Sequence, residues 1–235
     1  KNLAINDELI IEAIDKNTRA VFLTHAQGFN GLSKKLLRVL KEREIKLIED
    51  VCESHGAMFG KKKCGTFGWV SNFSFYYAHH MSTIEGGMVC TNDKDVYQKI
   101  RLFRSHGLLR EVNNKKFVKN IKNKYPTLNP EFIFMYQAYN LRNTEINAII
   151  GINQLKRLDK IIEERNNNQS YFYENLNGVK FFKKFDFKGS SNYAFNIILN
   201  NKDKKLMNNL CKILKNNNIE FRVGSAGGGN QLRQH

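Results

Sequence analysis

Between Ser71 and Cys90 the chain reads SNFSFYYAHHMSTIEGGMVC, and no other stretch restricts its fold so sharply. Phe73, Phe75 and Tyr77 alternate with Asn72, Ser74 and Tyr76, the two-residue period of a strand. After the paired glycines Gly86 and Gly87, Met88, Val89 and Cys90 open a second short apolar run. Two strands joined by such a turn place His79, His80 and Glu85 at a strand end. Histidines there are more often surface or hydrogen-bonded polar residues than catalysts, so the pair alone assigns no chemistry.

The preceding residues supply the sheet. Glu8 to Ile14 is expected to be a short helix, and residues 20–24 (AVFLT) form an apolar run of buried-strand length. Ser33 is placed to cap a helix through Leu36, Leu37 and Leu40, and Ile45 to Ile48 is the next strand. Strand, helix and strand at this spacing make a parallel β-α-β unit. In open α/β sheets ligands gather at the carboxyl ends of the strands, which is where Asp50 lies. Two roles remain open to it at this point, capping the next turn or facing a ligand.

Further along, Asp93 is placed to cap a helix through Val96, Ile100 and Phe103. Residues 111–130, rich in Asn and Lys and holding both prolines, predict a surface loop. A long amphipathic helix follows Glu145, with Ile146, Ile149, Ile150, Leu155, Leu158, Ile161 and Ile162 on its apolar face. From about Asn167 the pattern changes to a smaller α+β unit. It holds the run 179–182, a strand from Tyr193 to Leu199, a helix through Leu206, Leu210 and Leu214, and the run 219–223. The division expected is therefore 1–166 and 167–235.

The combination S-F-x-x-x-H-x-x-[ST]-x-x-E-G-G-x-V resembles the vitamin-B6-dependent sugar aminotransferases of the DegT/DnrJ/EryC1/StrS family. Residues 48–57 (IEDVCESHGA) and the run from Tyr139 through Arg142 and Glu145 to Leu158 extend the likeness along most of the chain. The resemblance implies an α/β fold. Its large cofactor domain is aspartate aminotransferase-like (fold type I), with a mixed, mostly parallel sheet, followed by part of a smaller α+β C-terminal domain. It also implies that about the first third of the family's length is absent, with some residues beyond the C-terminus.

In most of the family the residue six before the Glu of Glu-Gly-Gly is the lysine that holds pyridoxal phosphate. Here that residue is His79, and none of Lys61, Lys62 and Lys63 stands in its place. The substitution resembles the branch of nucleotide-sugar 3-dehydratases, which use the cofactor as pyridoxamine phosphate. Two routes stay open, glutamate regenerating the amine form by transamination or a separate reductase delivering electrons to the intermediate. The lack of a cysteine pattern for an iron–sulfur cluster favours glutamate as amino donor. By the same resemblance Asp50 pairs with the pyridine nitrogen, Glu53 faces the cofactor's 3-hydroxyl, and Ser74 binds its phosphate. Asn140 and Arg142 reach the phosphate in the partner subunit of a homodimer. Plainer roles stand beside each: a solvated glutamate, a serine satisfying strand backbone, a helix-start turn with an exposed arginine. Arg222 and Arg233, flanking a glycine-rich tail that either lines the site or is an ordinary loop, are candidate ligands for a substrate diphosphate.

The implied reaction removes the C3 hydroxyl of a GDP- or CDP-linked 4-keto-6-deoxyhexose. Histidine suits proton abstraction because its ordinary pKa of about 6.5 leaves much of it neutral near pH 7. Competing readings are an aminotransferase that delivers nitrogen to the sugar and a non-catalytic binding homologue. The net charge of +16 raises a nucleic-acid reading, but the lysines are scattered and form no aromatic-interleaved stripe, so no nucleic-acid partner is expected. Cys52, Cys64, Cys90 and Cys211 have neither metal nor disulfide spacing, so free thiols and no metal are expected. No apolar run is long enough to cross a bilayer and no signal peptide opens the chain, so the expectation is a cytoplasmic protein without a membrane partner.

Overall fold

A four-stranded mixed sheet organises the protein in the computed structural model, which describes residues 3–176 and 184–224. Its strands β1 (Ala20–Thr24), β2 (Lys46–Asp50), β5 (Val70–Ser74) and β6 (Gly87–Thr91) lie in the order β1-β2-β5-β6. The first three are parallel, while β6 runs antiparallel to β5, with Ser74 opposite Gly87. Between β2 and β5 a hairpin of β3 (Met58–Phe59) and β4 (Lys62–Lys63) turns at Gly60.

Register assigns the two faces of the sheet. Because side chains alternate, Leu23 aligns with Glu49 and Ser71 on one face, and Thr24 aligns with Asp50 and Asn72 on the other. Helices α1 (Asp7–Ala13) and α2 (Lys34–Glu42) cover the first face, with Leu36 and Leu40 packed against Leu23 and Leu47 in one buried cluster. Ser33 accepts from the Leu36 N–H, so the predicted cap is present. The second face brings Asp50 to the carboxyl edge of the sheet.

Several expectations require correction. The first strand of the central motif stops at Ser74, and Tyr76 and Tyr77 belong to the turn, whose Tyr76 carbonyl accepts from His79 N–H. The stretch 111–130 is not all loop: α4 (Lys115–Lys124) forms within it. Asn114 caps α4, and Val118 and Ile121 pack on Leu102, Leu109, Val112 and Ile133. The single long helix is two, α5 (Glu145–Leu155) and α6 (Leu158–Asn175), interrupted at Lys156 and Arg157. Leu158 then turns inward, while Ile146, Ile149, Ile152 and Leu155 stay exposed. Over 193–199 no strand forms beyond a single bridge residue at Leu199. Residues 179–182, the tail beyond Gly224 and Arg233 lie outside the described residues.

The other expected helices form as α3 (Lys94–Arg104), capped by Asp93, and α7 (Lys204–Asn216), capped by Asp203. The proposed boundary at 166 and 167 falls inside α6. All four cysteines are free. No helix among the described residues is long and apolar enough to cross a membrane, and no group of three His, Cys, Asp or Glu there is arranged to hold a metal.

One glycine is indispensable to how the chain closes on itself. Gly28 has φ +87°, and a Cβ there would stand 2.5 Å from the Asn192 N and 2.7 Å from the Tyr193 N. Both obstacles are backbone and cannot swing aside. Gly28→Ala is therefore expected to cost more than the roughly 1–2 kcal/mol of left-handed strain alone. Urea unfolding measures this, and a loss below that range would show that the 190–193 segment yields freely.

Candidate active site

The turn from Tyr76 to Glu85 is pinned at its base by Thr83 N–H to the Phe75 carbonyl (2.8 Å) and Phe75 N–H to the Gly86 carbonyl (2.9 Å). Its exit is strained, with the β-branched Ile84 at φ +72°. Asn147, at the start of α5, holds that exit by donating to the carbonyls of Thr83 (2.8 Å) and Glu85 (3.0 Å). The α5 helix thus fixes the loop that carries His79.

His79 lies among rings. Its centroid is 6.0 Å from His55, 6.0 Å from Tyr76 and 5.7 Å from Tyr193. Its Nδ1 is buried without a hydrogen-bond partner. Burial lowers its pKa from the ordinary imidazole value, and the carboxylates of Glu53 and Asp50 oppose that shift only in part. His79, Asp50 and Glu53 therefore share one electrostatic site.

Asp50 is held asymmetrically. Its Oδ1 accepts from Asn72 Nδ2 (2.9 Å) and Cys52 N–H (3.1 Å), while Oδ2 receives a long hydrogen bond from Thr24 (3.4 Å). One oxygen is occupied by the protein and the other retains acceptor capacity. Burial, with the Asp50 carboxylate, pushes the neighbouring Cys52 thiol up to about 12, so it stays protonated.

Glu53 is not on a solvated helix face. It lies in the turn after β2, where Oε2 accepts from the Gln27 N–H (2.9 Å) and side-chain amide (3.3 Å). Ser74 accepts from Tyr76 N–H (3.3 Å), which leaves its hydroxyl proton available for donation. Arg222 is exposed and within electrostatic reach of the Tyr76 and Tyr193 phenols. Asn140 and Arg142 form an exposed pair, with Arg142 Nε donating to Asn140 Oδ1 at 3.1 Å.

Four residues near the site were not singled out from the sequence: Asn72, His55, Tyr193 and Arg165. Asn72 was readable in principle, because parallel register sets it beside Asp50. His55 stood in the quoted 48–57 stretch. It is buried with both ring nitrogens lacking a hydrogen-bond partner. Burial, and then the charge of His79, lower its pKa to about 4. His80 is pushed down to about 3, chiefly by burial, although its Nε2 meets the Ser191 carbonyl at 2.8 Å. Tyr193 and Arg165 carried no local signal, since the contacts of Tyr193 with His79 and His80 and of Arg165 with the Asn192 and Tyr193 carbonyls are long-range.

A mixed, mostly parallel sheet with an acidic residue ending β2 and a polar turn after β5 makes this an α/β protein, and its likeness to solved structures makes the fold aspartate aminotransferase-like (fold type I). The chain belongs to the DegT/DnrJ/EryC1/StrS aminotransferase family, whose model matches residues 1–225. It is 32% identical over 221 residues to GDP-4-keto-6-deoxy-D-mannose 3-dehydratase of Escherichia coli O55:H7, an alignment covering 94% of this chain and 57% of that protein. A solved structure of E. coli GDP-4-keto-6-deoxy-D-mannose-3-dehydratase with bound hydrated PLP superposes with a TM-score of 0.80 at 30% identity, covering 93% of this chain and 56% of that one. A structure of GDP-4-keto-6-deoxymannose-3-dehydratase with a trapped PLP-glutamate geminal diamine gives the same TM-score and coverage at 29% identity. The chain thus spans a little over half the length of these relatives.

Proposed function

We propose that this chain carries the catalytic core of a pyridoxamine-phosphate-dependent dehydratase that removes the C3 hydroxyl from a nucleotide-linked 4-keto-6-deoxyhexose. The observation that carries the reading is His79 in the turn after β5, partly buried and under the influence of the Glu53 and Asp50 carboxylates, at the place where the motif resemblance puts the family's lysine. The residues suit the cofactor: Asp50 has acceptor capacity for a protonated pyridine nitrogen, and Ser74 has a hydroxyl proton for a phosphate oxygen.

When bound, the cofactor supplies an amine that condenses with the 4-keto group and a ring that takes up electrons. With the cofactor bound, His79 would hold it without a covalent link and would serve as the base of the site, receiving the proton that the cofactor's chemistry releases. Since Nδ1 is buried, the proton is taken at Nε2. Asn72 and the Cys52 N–H hold Asp50 Oδ1, so that the carboxylate would be available to pair with a bound cofactor's ring nitrogen. Glu53, restrained by Gln27, faces the 3-hydroxyl. Arg222, with Arg233, binds the substrate diphosphate. Glutamate would be the amino donor that returns the cofactor to its amine form.

The working unit in this reading is a cytoplasmic homodimer, with residues 1–166 as the cofactor domain and 167–235 as part of the smaller one. The exposed aliphatic ridge of α5 supports a subunit contact, for Ile146 is 71% and Leu155 is 60% exposed. That helix follows directly on Asn140 and Arg142, which would reach the partner's phosphate site. The test is to incubate the protein with pyridoxal phosphate, glutamate and a GDP-linked 4-keto-6-deoxyhexose. A 3-deoxy product with release of ammonia is expected. An amino sugar as product would overturn dehydration in favour of transamination.

A further inference from the structure

The segment from Ser190 to Tyr193 is bound tightly to the loop after β1. Ser190 Oγ and Ser191 N–H both donate to the Gly28 carbonyl (2.8 and 3.0 Å), and Tyr193 N–H donates to that of Gln27 (3.1 Å). From α6, Arg165 Nη1 donates to the carbonyls of Asn192 (3.1 Å) and Tyr193 (2.6 Å). Asn166 Oδ1 accepts from the Asn192 side chain at 2.6 Å. Ser190, Ser191 and Asn192 are all buried.

This anchoring delivers a ring to the site. Tyr193 lies 5.7 Å from His79 and 6.0 Å from His80 between centroids, tilted 47° and 50°. The same loop residue that receives Tyr193, Gln27, also holds Glu53. A single run of backbone therefore braces both the imidazole and the carboxylate beside it.

We propose that Tyr193, clamped by Arg165, is a positioning residue for His79: its ring shuts one side of the imidazole off from water and fixes the orientation in which His79 moves protons. The inference rests on the reading of His79 as the base. The other groups facing that imidazole are His55 from the turn after β2, Tyr76 and His80 from its own turn, and the carboxylates of Asp50 and Glu53. The ring is the working part, so phenylalanine should serve in its place.

The test needs no cofactor. Imidazole C–H resonances of the chain are titrated by NMR, with His79 assigned by its loss in His79→Gln. Because burial is the main influence holding His79 down, Tyr193→Ala is expected to move its titration upward toward the ordinary imidazole range. Tyr193→Phe should titrate with the parent, and Arg165→Gln should shift His79 in the same direction as Tyr193→Ala by a smaller amount. An unchanged or lowered His79 titration in Tyr193→Ala overturns the proposal. Should that variant not fold, an unchanged titration in Arg165→Gln does so. Failure of the dehydratase reading would appear separately, as a parent protein that yields no deoxy product while its His79 titration still responds to Tyr193.

Discussion

Replacing His79 by glutamine is expected to lower turnover in the proposed dehydration by about 10²- to 10⁴-fold, the usual contribution of a positioned acid–base group. Glutamine keeps the length and polarity of the side chain but cannot accept a proton at neutral pH. Folding should survive, since His79 is only partly buried and its Nδ1 has no partner to lose. A companion variant, His79→Lys, tests the placement. With pyridoxal phosphate it should form a covalent link that borohydride reduces and that absorbance reveals, whereas the parent forms none. A reducible link in the parent would mean that another lysine is the anchor and that His79 has been misassigned.

The acid limb of the parent's rate profile follows from the same environment. Only the neutral imidazole is a base, and burial favours the neutral form. The fall in rate on acidification should therefore lie below the ordinary imidazole value of about 6.5. A limb above it would mean that the carboxylates of Asp50 and Glu53 dominate over burial.

The largest loss of stability is expected from Glu49→Gln. Glu49 is fully buried, and its two oxygens accept from Gly65 N–H (2.7 Å), Phe67 N–H (2.8 Å), Gly68 N–H (2.6 Å) and His25 Nε2 (3.1 Å). Gly31 N–H donates to His25 Nδ1, so the ring proton sits on Nε2 and points at Glu49. A glutamine amide presents N–H where donors already converge. Breaking a buried charged network from one side typically costs about 3–5 kcal/mol, which urea unfolding would read. A loss under about 1 kcal/mol, the net worth of one ordinary hydrogen bond, would contradict the geometry.

Acid sensitivity carries the same sign at three residues. Burial alone would raise the Glu49 carboxyl, but the His25 hydrogen bond and the three backbone N–H groups outweigh it and hold the pKa low. Its contribution is present above the unfolded carboxyl value and lost as pH falls through the lowered one. His55 and His80, held down to about 4 and about 3, bind protons in the unfolded chain before the folded one. Stability should accordingly decline from about pH 6.5 downward, the unfolded imidazole value. A flat profile between pH 7 and 5 would show that these rings are solvated.

Much of this was legible because the signals are local. The 20–24 and 45–48 runs announce buried strands, Ser33 and Asp93 cap the helices that follow them, and Asp50 falls at a strand's carboxyl end by simple counting. His79 was found by its spacing to Glu85. The errors arose where a local pattern had two solutions. Alternation through Tyr77 suggested a longer strand, but the chain leaves the sheet after Ser74 because Phe75 pairs with the Gly86 carbonyl and Thr83 to close the turn. Apolar residues through Ile162 suggested one helix, although Leu158 had to turn inward while Ile152 and Leu155 did not.

The sequence by itself determined the order of the first strands and helices, because spacing along the chain and side-chain period carry it, and the resemblance of its motifs supplied the class of fold and the reading of His79 against the family's lysine. Only the tertiary structure decided what surrounds that histidine. Tyr193, Arg165, Gln27 and His55 come to the site from separate segments, with His80 and Ser191 meeting across 111 positions. Nothing in a local pattern encodes such contacts, since they arise from the packing of the sheet, α6 and the loops between them, and that packing sets the burial and hence the basicity of His79.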